Sequence, residues 1–155
     1  MIADSSCIIC LSKINKLDLL KEVHGKIFVS GVVKEECLIQ GKPGFHAISE
    51  AIEKKWIVVC KPKLNTDYAL HKGENEAINL ALEKKQAIIL DDFAAKTMAE
   101  SLELKTERTT TVLFKAIEKK IISKKEGISL FNKLIENGYY ISPEIYAIIL
   151  TKLIE

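Results

Sequence analysis

Asp4, Glu36 or its neighbour Glu35, Glu74, Asp91 and Asp92 are the acids of this chain that stand where carboxylates could work together. Asp4 follows the short apolar run Met1-Ile2-Ala3, and the Asp91-Asp92 pair follows Ile88-Ile89-Leu90. Both runs read as strands of a parallel sheet, and the carboxyl edge of such a sheet is where open α/β folds bind their ligands. One strand ending in an acid means little, but two in a small chain gather charge at one edge. Glu74 shares a helical stripe with Ile78 and Ala81, at i+4 and i+7, so it lies on the face that turns toward the sheet. Acids seldom face a core without a reason. In the first turn after Gly73, however, Glu74 would also complement a helix dipole. Glu36 follows Val32 and Val33 at i+4 and i+3 and also looks inward, but Glu35 is almost as well placed. Helical spacing does not separate the two, and a solvated Lys34-Glu35-Glu36 face is the plainer alternative.

Carboxylates gathered at one edge repel each other, and their pKa values rise unless something neutralises them. Hard divalent cations do this. A ligand set made of oxygen, with no His or Cys, suits Mg²⁺ or Mn²⁺, ions that can activate water and stabilise the leaving oxygen of a phosphodiester. Other nucleophilic chemistry finds little support, because His24, His46 and His71 read as lying away from the acidic motifs. Cys7-x-x-Cys10 has the spacing of half a zinc site or a redox motif, but it lies in an apolar run and no second such pair exists. Cys7, Cys10, Cys37 and Cys60 are therefore expected to be small buried hydrophobes.

The elements that must position these acids alternate. Apolar periodicity predicts a strand at 1–3 and a helix in two pieces from Ile8 to Val23, ending at Gly25. A strand at 26–29 follows, then a helix capped by Ser30 that breaks at Gly41-Lys42-Pro43-Gly44. A helix from Phe45, a buried strand at 56–60, a helix at 74–85, a strand at 87–90 and a helix at 93–102 come next. Strands alternating with helices imply a parallel sheet. Beyond Lys105 the pattern is nearly all helical, with segments at 111–122, 125–137 and 143–154, the last behind Ser142. The expected architecture is one domain over residues 1–155: three layers, α/β/α, around a parallel sheet of four to five strands, with a helical C-terminal third.

With 155 residues, 48% of them hydrophobic and 28% charged, the chain can bury one sizeable core. No apolar run approaches the ~20 residues needed to cross a bilayer. The start Met1-Ile2-Ala3-Asp4 lacks the basic and apolar regions of a signal peptide, so a cytoplasmic protein is expected. A net charge of +2, with Arg108 as the sole arginine, does not by itself imply nucleic-acid binding, and the paired lysines read first as solvated helix ends.

Four segments carry a resemblance: Asp4-Ser5-Ser6 after the first strand, Val33-Lys34-Glu35-Glu36 after the second, Gly73-Glu74-Asn75-Glu76-Ala77-Ile78 opening a helix, and Leu90-Asp91-Asp92 before Ala95-Lys96. In order and spacing they resemble the motifs of PIN domains, and most of all the VapC-like branch, through to the tail Gly138-Tyr139-Tyr140-Ile141-Ser142. The resemblance implies that Asp4, Glu36, Glu74 and Asp92 are the four catalytic, metal-holding acids, that Asp91 adds to the metal ligands, and that Ser6 supports the site. It further implies an endoribonuclease acting on single-stranded or loop RNA with Mg²⁺ or Mn²⁺, the toxin of a toxin–antitoxin pair, a homodimer, and a small antitoxin partner. A non-catalytic module binding RNA or protein, or a phosphatase using the same acids, are the other readings. Where similar proteins have a glycine-containing turn after the fifth strand, this chain has Arg108-Thr109-Thr110-Thr111, a departure at the rim of the site.

Overall fold

The alternation of apolar runs and amphipathic stretches becomes an alternation of strands and helices in the computed structural model, which describes residues 1–155. In chain order these are β1 (Ile2–Ala3), α1 (Ser5–Lys13), α2 (Asp18–His24), β2 (Ile27–Val29), α3 (Gly31–Cys37), α4 (Phe45–Glu53) and β3 (Ile57–Val59). They continue with α5 (Lys72–Lys84), β4 (Ile88–Ile89), α6 (Phe93–Ser101), β5 (Thr106–Glu107), α7 (Thr109–Glu118), α8 (Lys124–Glu136) and α9 (Pro143–Ile154). Side chains start several helices as the sequence predicts: Ser30 Oγ accepts from Val33 N–H at 3.1 Å, and Ser142 Oγ accepts from Ile145 N–H at 3.3 Å.

The five strands form one parallel sheet in the order β3-β2-β1-β4-β5, which puts the first strand of the chain at its centre. Ile2 pairs with Phe28 on one side and Ile88 on the other. Successive strand residues point to opposite faces, and the core divides accordingly. Ile2 and Ile88 pack with Ala77, Ile78 and Ala81 of α5 and with Ala95 and Ala99 of α6. Ala3, Ile89, Ile27 and Val29 pack on the other face with residues of α1, α2, α7 and α8, among them Leu11, Leu20, Leu113 and Phe131. The fold is thus α/β with three layers.

One expectation shifts. The helix expected over 111–122 runs from Thr109 to Glu118, because Thr111 Oγ1 accepts from Arg108 N–H at 3.2 Å and starts it earlier. The chain then turns at Lys120, whose φ is +59°, so the helix cannot continue through Ile122. Along α9, Ile149 and Leu153 close the chain's own core, whereas Ile145 and Ile148 are about half exposed. No helix is long and apolar enough to cross a membrane.

Candidate functional site

The carboxyl ends of β1 and β4 lie side by side in the middle of the sheet, and after each the chain turns into a helix. Asp4 occupies the first turn, in extended conformation at the N-cap of α1, with its N–H donating to Ile89 O at 3.2 Å. Its side chain is only 4% exposed. Ser6 Oγ donates to Asp4 Oδ2 at 3.3 Å, but Oδ1 is buried without a hydrogen-bond partner. Burial pushes this carboxyl up to about 6, and the charges of Glu74 and Glu36 add to the rise, against hydrogen bonds from the Ser5 N–H and the Ser6 hydroxyl.

Glu36 reaches the same place from α3 because Gly73 leaves room for it. A Cβ at Gly73 would stand 2.6 Å from both carboxylate oxygens of Glu36, so the carboxylate occupies the space of the absent side chain. Gly73 is buried in the first turn of α5. Glu36 is half-buried and Glu35 exposed, which separates two residues that helical spacing leaves equivalent. Sequence alone marks Gly73 only as the first residue of the helix-opening motif, without its part in seating Glu36. Its signal is a glycine inside the opening turn of a helix, where glycine weakens the helix and needs a packing reason.

Glu74 is the next residue. Its Oε2 accepts from His71 N–H at 3.2 Å and closes the first turn of α5. Burial raises this carboxyl, and the charges of Asp92 and Glu36 add to the effect. The expectation that His71 lies away from the acids fails here, since it is the N-cap residue of the helix that carries Glu74. Asp92 is the N-cap of α6: Oδ1 accepts from Ala95 N–H at 2.8 Å, and the side chain is exposed at the rim.

Asp91, expected among the metal ligands, is met by donors from two other segments. Its Oδ1 accepts from Thr109 N–H at 2.9 Å and from the Tyr139 hydroxyl at 2.7 Å, and its Oδ2 accepts from Thr109 Oγ1 at 2.6 Å. Three of about four lone-pair positions on the carboxylate are therefore taken. Asp91 fastens α7 and the residue after Gly138 to the end of β4. Burial and the Asp91 charge push the Tyr139 phenol well above its usual range, so it stays a donor.

The cysteines are all free, and none joins the acids in a metal-holding group. Burial raises Cys10 to about 11 and Cys37 to about 12, and it raises Cys7 well above its usual range, which keeps these thiols protonated and inert.

Asp4, Glu36, Glu74 and Asp92 thus come together at one sheet edge, from four elements. As they stand, no three His, Cys, Asp or Glu side chains close on a single point as they would around an ion. The orphaned Oδ1 of Asp4, within an all-oxygen set of mutually repelling acids, nevertheless fits a hard divalent cation. A family model for the PIN domain matches residues 1–155. The chain belongs to the PIN domain family. No curated protein and no solved structure matches it. PIN domains are generally nucleases and typically use divalent metal, so the fold of this PIN domain is of the nuclease type.

Proposed function

We propose that this protein is a Mg²⁺- or Mn²⁺-dependent endoribonuclease that cleaves single-stranded or loop RNA, the toxin of a toxin–antitoxin pair. The observation that carries the proposal is Asp4, a carboxylate almost wholly buried with one oxygen left without a partner at the edge where Glu36, Glu74 and Asp92 also point. A structural acid with that burial would have both oxygens hydrogen-bonded. Asp4 and Glu74 form the floor of the site, Glu36 its wall over Gly73, and Asp92 its exposed rim. Ser6 holds Oδ2 of Asp4 and so leaves Oδ1 as the ligating atom. Divalent cations bound there supply a water acidic enough to attack at neutral pH and positive charge at the oxygen that leaves. The chain's own part is to fix the acids on rigid elements, with β1 and α5 setting Asp4 and Glu74, and to exclude water from the inner oxygen.

The experiment is cleavage of a labelled single-stranded RNA with Mg²⁺, with Mn²⁺, and in excess chelator, beside a small phosphate ester. Metal-dependent RNA cleavage without ester hydrolysis is the expected result. Cleavage that survives complete metal removal overturns the metal-dependent reading, and ester hydrolysis without RNA cleavage favours a phosphatase. The non-catalytic module rests on the acids' open arrangement. RNA binding without cleavage at any concentration of either ion would establish it.

We also propose a homodimer formed through α9, where Ile145 and Ile148 remain about half exposed after Ile149 and Leu153 are buried. Sedimentation at micromolar concentration tests this, and a single monomeric species refutes it without touching the nuclease reading. A small antitoxin protein and a cytoplasmic location belong to the same toxin proposal. Co-purification of a small protein encoded next to this one checks the first, and cell fractionation checks the second.

A further inference from the structure

One strand beyond the acids, between α6, the start of α7 and the segment from Tyr139 to Ile145, runs an open groove of about 490 Å³. It is lined by Lys96, Arg108, Thr110, Tyr139, Tyr140 and Ile145, among others. Arg108 follows β5, two strand spacings from the end of β1, so it stands about 10 Å along the same edge from Asp4. Its guanidinium enters none of the chain's ion pairs. The other charges at the groove are engaged: Lys96 with Glu100, and Glu107 with His24 and Lys115. The free charge facing the groove is therefore positive, from the one arginine in the chain.

Aromatic exposure points the same way. Phe93 is 76% exposed and Tyr140 is 81% exposed, and no other aromatic side chain is among the exposed large hydrophobics. Tyr140 lies on the groove. Phe93 sits between Asp92, at the acids, and Lys96, on the groove, one turn apart on α6. A ring left in water on the same groove as an unpaired guanidinium, with Phe93 exposed on α6, matches the alternating bases and phosphates of a single strand, where stacking is sequence-tolerant and the phosphate takes the charge. A duplex keeps its bases stacked and offers such rings nothing.

We infer that this groove binds a nucleotide of single-stranded RNA flanking the scissile bond, with Arg108 on its phosphate, Tyr140 stacked on its base, and Phe93 leading the strand to the acids. The inference rests on the ribonuclease reading above and names how the substrate is held.

The test is fluorescence anisotropy of a short labelled RNA with the full chain carrying Asp4→Asn, so that the RNA stays whole, at several salt concentrations. Arg108→Ala should weaken binding about 10-fold and reduce the slope of log affinity against log salt by about 0.7, the share of one phosphate on a single strand. Tyr140→Ala should weaken it about 10-fold with the slope unchanged, and Tyr140→Phe should restore it. Lys54→Ala, at the end of α4 beside the opposite edge of the sheet, is the charge-matched control and should bind as the parent does. If RNA is bound and the wild type cleaves it, but the groove variants bind as tightly as the parent, this inference is wrong and the nuclease reading stands. If no RNA is bound or cleaved at all, the nuclease reading fails and takes the inference with it. If Tyr140→Ala instead turns a dimer into a monomer in sedimentation, the face is a contact between copies of the chain, and the inference is overturned.

Discussion

Asp4 and Asp91 sit at the ends of neighbouring strands of one sheet, yet their surroundings are opposite. Asp91 is met by three donors from Thr109 and Tyr139. Asp4 is more deeply buried than Asp91, and its donors on the first turn of α1 leave one oxygen, Oδ1, without a partner. A carboxylate surrounded by donors is part of the scaffold, whereas one buried among other acids with an open lone pair raises the energy of the empty fold. Glu107 shows that burial alone is not the difference. Burial pushes it up as well, but His24 and Lys115 beside it leave it below its usual range. The contrast therefore lies in partners, and partners can be removed one at a time.

The largest effect expected is on activity. Asp4→Asn should lower RNA cleavage by more than about a hundredfold, because the amide keeps the size but not the charge that holds a hard cation. Unchanged cleavage by this variant would make Asp4 a turn residue and dissolve the contrast. Asp91→Ala should act on stability instead, costing about 3 kcal/mol by leaving two buried donors unpaired, with or without metal, in a denaturant titration. A loss of cleavage with stability intact would move Asp91 into the site.

The Asp4 carboxyl also predicts a pH dependence. Its folded pKa of about 6 lies above the ordinary 3.8, so the folded state binds the proton more tightly than the unfolded chain does. The stability this confers is complete below about pH 4 and is lost as pH rises through about 6, which costs roughly 3 kcal/mol by neutral pH in the metal-free protein. Asp4→Asn should consequently melt higher than the wild type at pH 8 without metal, with the gap closing toward pH 4. A gap that stays constant across that range would show that Asp4 does not titrate there.

Smaller effects test the supports. Gly73→Ala should favour the α5 helix by about 0.5 to 1 kcal/mol while displacing Glu36, so cleavage should drop about 10-fold with melting unchanged or raised. Glu36→Gln should be severe and Glu35→Gln mild. Equal losses in the two would mean that Gly73 does not select Glu36. Tyr139→Phe removes one of three donors to Asp91 and should cost about 1 kcal/mol in the same titration.

What the sequence made legible followed from local pattern. The apolar runs ending in Asp4 and in Asp91-Asp92 marked two strand ends and hence the edge where the acids meet, and Ser30 and Ser142 marked helix starts that the structure has. The strand β5 was hardly legible, because Thr106 and Glu107 are polar and only half-buried and carry no apolar alternation. The choice of Glu36 over Glu35 was hidden in a contact with Gly73 on another helix. The division of labour between Asp91 and Asp92 was equally hidden, since it depends on Tyr139, which is 48 residues further along the chain. Spacing within an element reports which face a residue takes, but not what arrives to meet it.

The central place of β1 has a kinetic meaning as well. Ile2 pairs with Ile88 across more than half the chain, and parallel pairings over such separations close late and slowly. Two-residue strands gain little from partial zippering, so neither side of β1 persists until the helices covering it are in place. The four acids come from positions 4, 36, 74 and 92, and their mutual repulsion is felt only when that last closure occurs. Refolding should therefore speed up when divalent cations are present only if they bind before the closing step. If they bind afterwards, they should slow unfolding and leave the refolding rate unchanged.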